Sequence, residues 1–484
     1  MPGSVSSDKP SYEELSEELS SLRTTVAEQA AVIEKLTAEI AELRARLNMN
    51  SRNSSKPPSS DGYAKPAPKS RRVRSGKKPG KQPGDPGRHL AQRSDPDATK
   101  VHPPSTCERC GSDLSDAEVT GRVVRQVFDL PPVALFCTEH QAERRRCRCG
   151  AETTGTFPSE ASAPSCYGPA LRAYVCYLVT RQHIPVARVA ELLRDTYGAP
   201  VATGTIVAMV QEGAAMLEEF LARVKELLIA SDVAHADETG LRVEAHLQWV
   251  HAVSTTDLTL YHLDTERGTE AMDAMGVIEH LRGVLVHDGW ASYRTYENLI
   301  HGLCNAHHLR ELDAAGATDG QGWAGDMAGL LTGTWLMVLE AKAADKNALS
   351  SDQLAELRAN YDAIIAAGHV ANPPVAPTGR RGRPKRTKAH NLLLRLDNYA
   401  DDVLRFATDF TVPFDNNLSE RDVRMVKIAQ KVSGGFRSNE GARAFLAFRS
   451  YLSTAARQGV NRLEALRQLF NGAPWMPATP GAGP

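Results

Sequence analysis

Two short apolar runs that each close on an aspartate constrain this 484-residue chain more than any other feature. Asp232-Val-Ala-His-Ala-Asp ends at Asp237, and Gly283-Val-Leu-Val-His-Asp ends at Asp288. Between them the pattern gives two further strands, Gln248–Ser254 and Leu258–Leu263, and a helical stretch over Thr269–Met275. A strand that follows a helical crossover returns parallel to an earlier one, so the first and fourth strands are expected side by side. Asp237 and Asp288 would then be neighbours despite their separation in sequence. A fifth strand from Ile300 is expected to run into a helix at His307.

Three strands, a helix and a strand ending in an acid match the order of an RNase H-like α/β domain. A third acid, Glu420, follows in Asp415-Asn-Asn-Leu-Ser-Glu-Arg, within the first turns of a strongly helical segment. Two strand-borne aspartates and a helix-borne glutamate can converge on Mg²⁺ or Mn²⁺ and direct phosphoryl transfer on nucleic acid, because hard oxygen ligands suit these ions and leave positions open for phosphate. Asp232, Glu238 and Asp415 are nearby acids that compete for the role, and Asp415 has a simpler use as a helix cap. After Glu420 the helix turns basic, with Arg424, Lys427 and Lys431 at steps of three and four, a stripe suited to phosphates. Residues 314–405 interrupt the order with Ala- and Leu-rich helical sequence, including Trp323 and Trp335, and read as an insertion. Its basic loop contains Arg381-Gly-Arg-Pro, in which Arg381 and Arg383 suit a narrow minor groove.

The rest of the chain is too long for one core, so several domains are expected. From Leu15 to Leu47 apolar residues recur at alternating steps of four and three, broken only by Gln29. Leu19, Val26, Ile33, Ile40 and Leu47 fill one heptad position and Leu15, Leu22, Leu36 and Leu43 the other, a pattern of parallel two-stranded coils. The net charge of −1 hides an uneven distribution: residues 1–50 carry nine acids and five bases, residues 51–90 eleven bases and two acids. The Ser-, Pro- and Lys/Arg-rich stretch 51–104 cannot bury enough apolar surface to fold and reads as a basic linker able to hold phosphates.

Four of eight cysteines, Cys107, Cys110, Cys147 and Cys149, bracket a small module that suits structural Zn²⁺, with Cys137 or His140 as substitutes for one ligand. Within it Val123–Leu130 and Val133–Phe136 alternate like two strands joined by Pro131-Pro132. Residues 168–230 read as helices. Pro185–Leu193 and Thr203–Val210, with a turn near Gly198, suggest a helix-turn-helix. No apolar run approaches the roughly 20 residues needed to cross a bilayer, and no signal peptide is visible, so a soluble, cytoplasmic protein without a membrane partner is expected.

Ala236-Asp-Glu-Thr, His287-Asp-Gly-Trp-Ala-Ser-Tyr, Asp415-Asn-Asn-Leu-Ser-Glu-Arg-Asp-Val-Arg and Glu440-Gly-Ala-Arg together resemble the transposases of the insertion sequence 66 family. The amino-terminal coil, Asn53-Ser-Ser-Lys-Pro-Pro-Ser-Ser-Asp and the cysteine module fit the same family in the same order. The resemblance implies a DDE-type enzyme that binds element ends and cuts and joins DNA, with Asp237, Asp288 and Glu420 as its triad. It also implies accessory transposition proteins. Cys304-Asn-Ala-His307 resembles a Cys-x-x-His pair that follows the second Asp in several transposase families, where it is structural or strand-positioning and not catalytic; a buried helix start accounts for it equally well. The Cys-x-Cys half of the cysteine module departs from the commoner Cys-x-x-Cys.

The expected organisation is therefore multidomain: a parallel coiled coil over 1–50, through which the chain would form a homo-oligomer, a basic linker over 51–104 and a zinc-binding module over 105–152. A helical, helix-turn-helix-like region follows over 165–230, an RNase H-like catalytic domain over 231–455, and a helix and tail over 456–484. A DNA-binding regulator with an inactive catalytic domain and an RNase H-like nuclease are the rival readings.

Overall fold

The computed structural model describes residues 11–47, 84, 90–130, 133–158, 160–374 and 386–478. The chain divides into two compact units, one of residues 1–64, 139–191 and 200–484 and the other of residues 65–138 and 192–199.

The first unit opens with helix α1 (Tyr12–Leu47), 36 residues without Gly or Pro. Its heptad residues, among them Leu19, Leu22, Val26, Ile33 and Leu36, are exposed. A short antiparallel pair follows, β1 (Arg144–Arg146) and β2 (Glu152–Thr154). Next come α2 (Pro169–Cys176), a π-helical turn Tyr177–Arg181, α3 (Val186–Tyr197), α4 (Thr203–Ala215) and α5 (Glu218–Ile229). Proline at the start of α2 costs nothing there, because the first N–H groups of a helix lack intrahelical partners.

The centre is a five-stranded mixed sheet made of β3 (Val233–Val243), β4 (His246–Ser254), β5 (Thr259–Asp264), β6 (Val284–His287) and β7 (Ile300–Leu303), in the order β5-β4-β3-β6-β7. The first three strands pair antiparallel; β6 and β7 add on in parallel. Helix α6 (Thr269–Met275), at the bounds expected from sequence, carries the crossover that brings β6 beside β3. All four residues of β6 are buried, as a parallel strand covered on both faces requires.

After β7 come α7 (Asn305–Asp319), α8 (Gly322–Ala343), α9 (Ser351–Ala371), α10 (Lys388–Asn398) and α11 (Ala400–Thr408). The expected insertion is thus helical. These helices share one core containing Trp323, Met327, Tyr361, Leu393 and Phe406, which extends to Phe414 on the following segment. Phe414 stacks on Trp335 at 5.0 Å and meets Phe406 edge-on at 4.8 Å. Helices α12 (Asn417–Ser433) and α13 (Asn439–Arg457) then cover one face of β3, β4 and β5. Val423, Val426, Phe445 and Leu446 pack there on Leu241, Val250 and Tyr261. Helix α14 (Arg462–Phe470) closes the unit.

Two sequence expectations need correction. First, β3 does not stop at Asp237 but continues to Val243, turning into β4 through Glu244 and Ala245, both at positive φ (51° and 66°). Such two-residue hairpins favour Asn-Gly, so the sequence gives no turn signal. Phe436 supplies the missing support, accepting the Glu244 N–H at 2.8 Å and donating to the Arg242 carbonyl at 2.9 Å. Second, Val123–Leu130 and Val133–Phe136 form no strands among the described residues. Val123 and Phe136 are 92% and 94% exposed, so alternation there has no core to serve. The second unit instead joins residues 90–93 to 124–126 through side-chain amides. Gln126 receives the Arg93 N–H and donates to the Arg93 carbonyl, both at 2.7 Å, and Gln92 donates to the Val124 carbonyl at 3.1 Å.

The β3–β6 register depends on a glycine. A Cβ on Gly283 would run into the carbonyls of Ser231 and Asp232, where Val284 N–H pairs with the Asp232 carbonyl at 2.8 Å. Backbone cannot give way as a flexible side chain can, so Gly283→Ala is expected to cost about 3 kcal/mol or more in denaturant unfolding. Ala245→Gly relieves a left-handed backbone and is expected to raise stability by about 0.5–1 kcal/mol in the same assay.

Candidate active site

Register fixes two of the acids. Val233, Ala234 and His235 lie opposite Val284, Leu285 and Val286, and the same offset carried two residues further sets Asp288 beside Asp237. Asp288 follows the last residue of β6, and Gly289 then turns the chain at φ 90°, which a side chain would resist. The carboxylate of Asp288 accepts the Trp290 N–H at 2.8 Å.

One hydrogen-bonded chain holds this turn from behind. Gly289 N–H donates to Nδ1 of buried His287 at 3.0 Å, so that nitrogen is the unprotonated one. His287 Nε2–H then points at His301 Nδ1, 3.1 Å away, and His301 Nε2 reaches the Tyr296 carbonyl at 3.3 Å. Burial, followed by His301 and Arg294, pushes the His287 pKa well down, which keeps both the ring and this pattern neutral.

Glu420 arrives from α12. The helix start is pinned by Asn416, fully buried, which donates its side-chain N–H to the Ala236 carbonyl at 2.8 Å and accepts from His235 Nδ1 at 2.9 Å. Its backbone N–H donates to Cys304 Sγ at 3.1 Å, and its carbonyl accepts the Glu420 N–H at 3.2 Å. Asp415 accepts the Asn417 N–H at 3.0 Å, but the N-cap of α12 is Asn416, so Asp415 braces the approach to the helix and is not the cap expected from sequence. Asp232 is exposed, and its carbonyl serves the sheet.

The three carboxylates feel one another. Burial and then Glu238, Asp288 and Glu420 push Asp237 well above the usual carboxylate range. Asp288 is pushed up to about 6 by burial and Glu238, against the Trp290 amide, Arg267 and Arg395. Glu420 is raised by burial, Asp415 and Asp288, against Arg310 and Arg424. Carboxylates that cannot all ionise without a countercharge, and that remain partly open to solvent, fit a divalent cation with oxygen ligands.

Glu238 is not part of that set. Its side chain is 2% exposed, pairs with Arg267 at 2.6 Å and accepts the Tyr293 hydroxyl at 2.7 Å. The Arg267 guanidinium lies between the rings of Trp249 and Trp290, 4.8 and 4.3 Å from their centroids. This lock braces the loop after Asp288. Sequence reading missed it, together with Asn416 and the His287–His301 chain. The Trp directly after Asp288-Gly289 was the one available signal.

The basic stripe on α12 is divided. Arg424 and Lys431 are exposed, whereas half-buried Lys427 donates to the Gly240 carbonyl, and burial pulls its pKa down. Arg381 and Arg383 lie outside the described residues.

Each cysteine pair sits on its own tight turn. Cys107 accepts the Gly111 N–H at 2.8 Å and donates to the Ser112 carbonyl at 2.9 Å. Cys147 accepts the Gly150 N–H at 2.9 Å and donates to the Ala151 carbonyl at 2.8 Å, between β1 and β2. The second turn keeps the same pattern in a loop one residue shorter, as Cys-x-Cys demands. Hydrogen bonds, chiefly from Ser112 for Cys110 and from Cys149 for Cys147, lower the pKa of both thiols and favour the thiolate that binds metal. Cys137 is exposed, and His140 lies 3.9 Å from Glu160.

Comparison with known families agrees with these parts. Residues 104–150 match the zinc-finger binding domain of transposase IS66, which supports structural Zn²⁺. Residues 5–91 match a family of unknown function. No curated protein matches the chain. Among the described residues no helix is long and apolar enough to cross a membrane. Residues 164–444, more than half of the chain, match the transposase IS66 family, and the chain belongs to that family.

Proposed function

We propose that this protein binds the ends of an insertion sequence and catalyses metal-dependent DNA cleavage and strand transfer through Asp237, Asp288 and Glu420, on an RNase H-like domain. The observation that carries this reading is that the β3–β6 register, continued past its last pair, brings Asp288 beside Asp237, with a glutamate on a helix tied to β3 close to both. The strand order, with three antiparallel strands extended by two parallel ones, supports the fold assignment.

Asp237 and Asp288 would hold Mg²⁺ or Mn²⁺ from the sheet, and Glu420 would complete the set from α12. When bound, the ions supply Lewis acidity that activates a water or a 3′-hydroxyl and stabilises the leaving oxygen. The chain's own contribution is position. His287 and Trp290 hold the Asp288 turn, and Asn416 sets the height of Glu420 above β3. Arg424 and Lys431 present exposed cations beyond Glu420, where phosphates flanking the cleaved bond would pass. Lys427 serves the fold.

The assignment of Cys107, Cys110, Cys147 and Cys149 to one zinc belongs to the same proposal. So does the use of α3 and α4 as a helix-turn-helix, whose turn contains Gly198 at φ 63°. Helix α4 exposes Thr203, Val207, Gln211 and Glu212 and contains no Lys or Arg, so its backbone contacts to DNA would come from the basic linker. The exposed heptad residues of α1 suit a parallel coil with a second copy, which would bring two active sites to two element ends. Accessory proteins of the same element are expected partners.

The test is cleavage and joining of labelled element-end DNA with Mg²⁺, accessory proteins present. Glu420→Gln is expected to lower both steps by on the order of a thousandfold while DNA binding persists. Binding without cleavage in the unmodified protein would point to a regulator, and cleavage without joining to a nuclease. Asn416→Ala is expected to lower stability by about 2 kcal/mol, because the Ala236 carbonyl and His235 lose their partner. It should slow cleavage about a hundredfold by releasing Glu420 from its height; equal cleavage rates at a temperature where both proteins are folded would remove that role.

A further inference from the structure

We propose that Cys304, His307 and Glu420 form a second transition-metal site, distinct from the zinc finger, that takes Zn²⁺ or an ion of similar softness and draws Glu420 away from the two aspartates. Cys304 follows β7 as the N-cap of α7, His307 lies in the first turn of α7, and Glu420 faces them from α12. Their ligand atoms all lie within 4.8 Å of one another. His307 Nδ1 and Glu420 Oε1 stand 3.5 Å apart. Two ligands about 2.0–2.2 Å from a tetrahedral zinc are themselves separated by about 3.3–3.5 Å, so this pair is already spaced for one ion.

Both atoms are buried, and neither has a hydrogen-bond partner among the described residues. Leaving two buried polar atoms unsatisfied side by side is costly unless something occupies the space between them. The third atom, Cys304 Sγ, is also buried and accepts the Asn416 N–H at 3.1 Å, the kind of supporting bond that orients a ligand. Water would fill the fourth position.

The donor set selects the ion. A thiolate, an imidazole and one carboxylate match Zn²⁺, whereas Mg²⁺ would leave sulfur and nitrogen unused. As the metal–sulfur bond forms, the Cys304 thiol gives one proton to solvent. Thiolate and carboxylate then balance the charge of the ion. Arg310, 3.8 Å from Glu420, then faces a neutral site.

Metal binding itself is independent of the catalytic reading; only the consequence for cleavage rests on it. Full-length protein saturated with Zn²⁺ and freed of excess is expected to hold one more equivalent per chain than Cys304→Ser or His307→Gln. With Co²⁺, the thiolate-to-metal band and the visible tetrahedral bands should contain a component that both variants lack. Equal stoichiometry and identical spectra in wild type and folded variants would overturn the proposal. Should those two variants fail to fold, Glu420→Gln, which preserves shape, decides by the same comparison. In Mg²⁺-supported cleavage, added Zn²⁺ should inhibit wild type and spare Cys304→Ser relative to its own zinc-free rate. Inhibition equal in both proteins would overturn the regulatory part, and absence of any cleavage would leave the binding result standing.

Discussion

One buried side-chain amide carries the geometry of the site. Asn416 bonds through its side chain to His235 and Ala236, the two residues before Asp237, through its backbone N–H to Cys304, and through its carbonyl to the Glu420 amide. These partners lie on three routes to the acids: β3, the β7–α7 junction and α12. The amide roles also fix the chemistry of the neighbour: Nδ2 must donate to a carbonyl, so Oδ1 accepts and His235 carries its proton on Nδ1. An aspartate here could not donate to Ala236, and an alanine would leave buried groups unpaired. Sheet, helix and β7–α7 junction meet at a residue that takes no part in the proposed chemistry.

Around that anchor the charges are arranged by depth. Glu238 is neutralised by Arg267 and Tyr293, so its charge is spent on bracing the loop after Asp288. Asp237, next to it in sequence, has no such partner, and strand alternation sends its carboxylate to the other face. The result is one acid satisfied by protein and one raised well above its usual pKa. The contrast between adjacent residues of one strand separates a carboxylate used by the fold from the one proposed to hold metal.

Much of this was legible in sequence because the relevant signals are local and periodic. Apolar runs ending in Asp237 and Asp288 gave the strands, and the intervening helix gave their adjacency, since a crossover leaves few alternatives. What escaped was determined by distant contacts. The Glu244-Ala245 turn contains no turn residues and depends on Phe436, nearly two hundred positions away. The alternation in Val123–Leu130 looked like a strand because periodicity records a preference for burial, while only the fold decides whether a partner surface exists. Lys427 looked like a phosphate ligand because spacing on a helix cannot show which cation turns inward to the Gly240 carbonyl.

The helical insertion, which sequence marks only as an interruption, is part of the wall of the site. Asn305 donates to the Val403 carbonyl at 2.9 Å and Arg405 to the His301 carbonyl at 2.5 Å, fastening α11 to the strand and helix that flank Cys304. Arg294 pairs with Asp402 at 2.5 Å, linking the same helix to the loop beyond Asp288. Arg395 on α10 lies beside Gly289 and offsets part of the rise in the Asp288 pKa, so a positive charge beside the second aspartate comes from the insertion. Phe414, just before Asn416, stacks on Trp335 of α8. A shift of α8 would therefore pull on the segment that sets Asn416, and through it on Glu420. The three proposed catalytic acids lie on one strand, just past the end of another and on one helix, and one side of the structure that holds their spacing is the insertion.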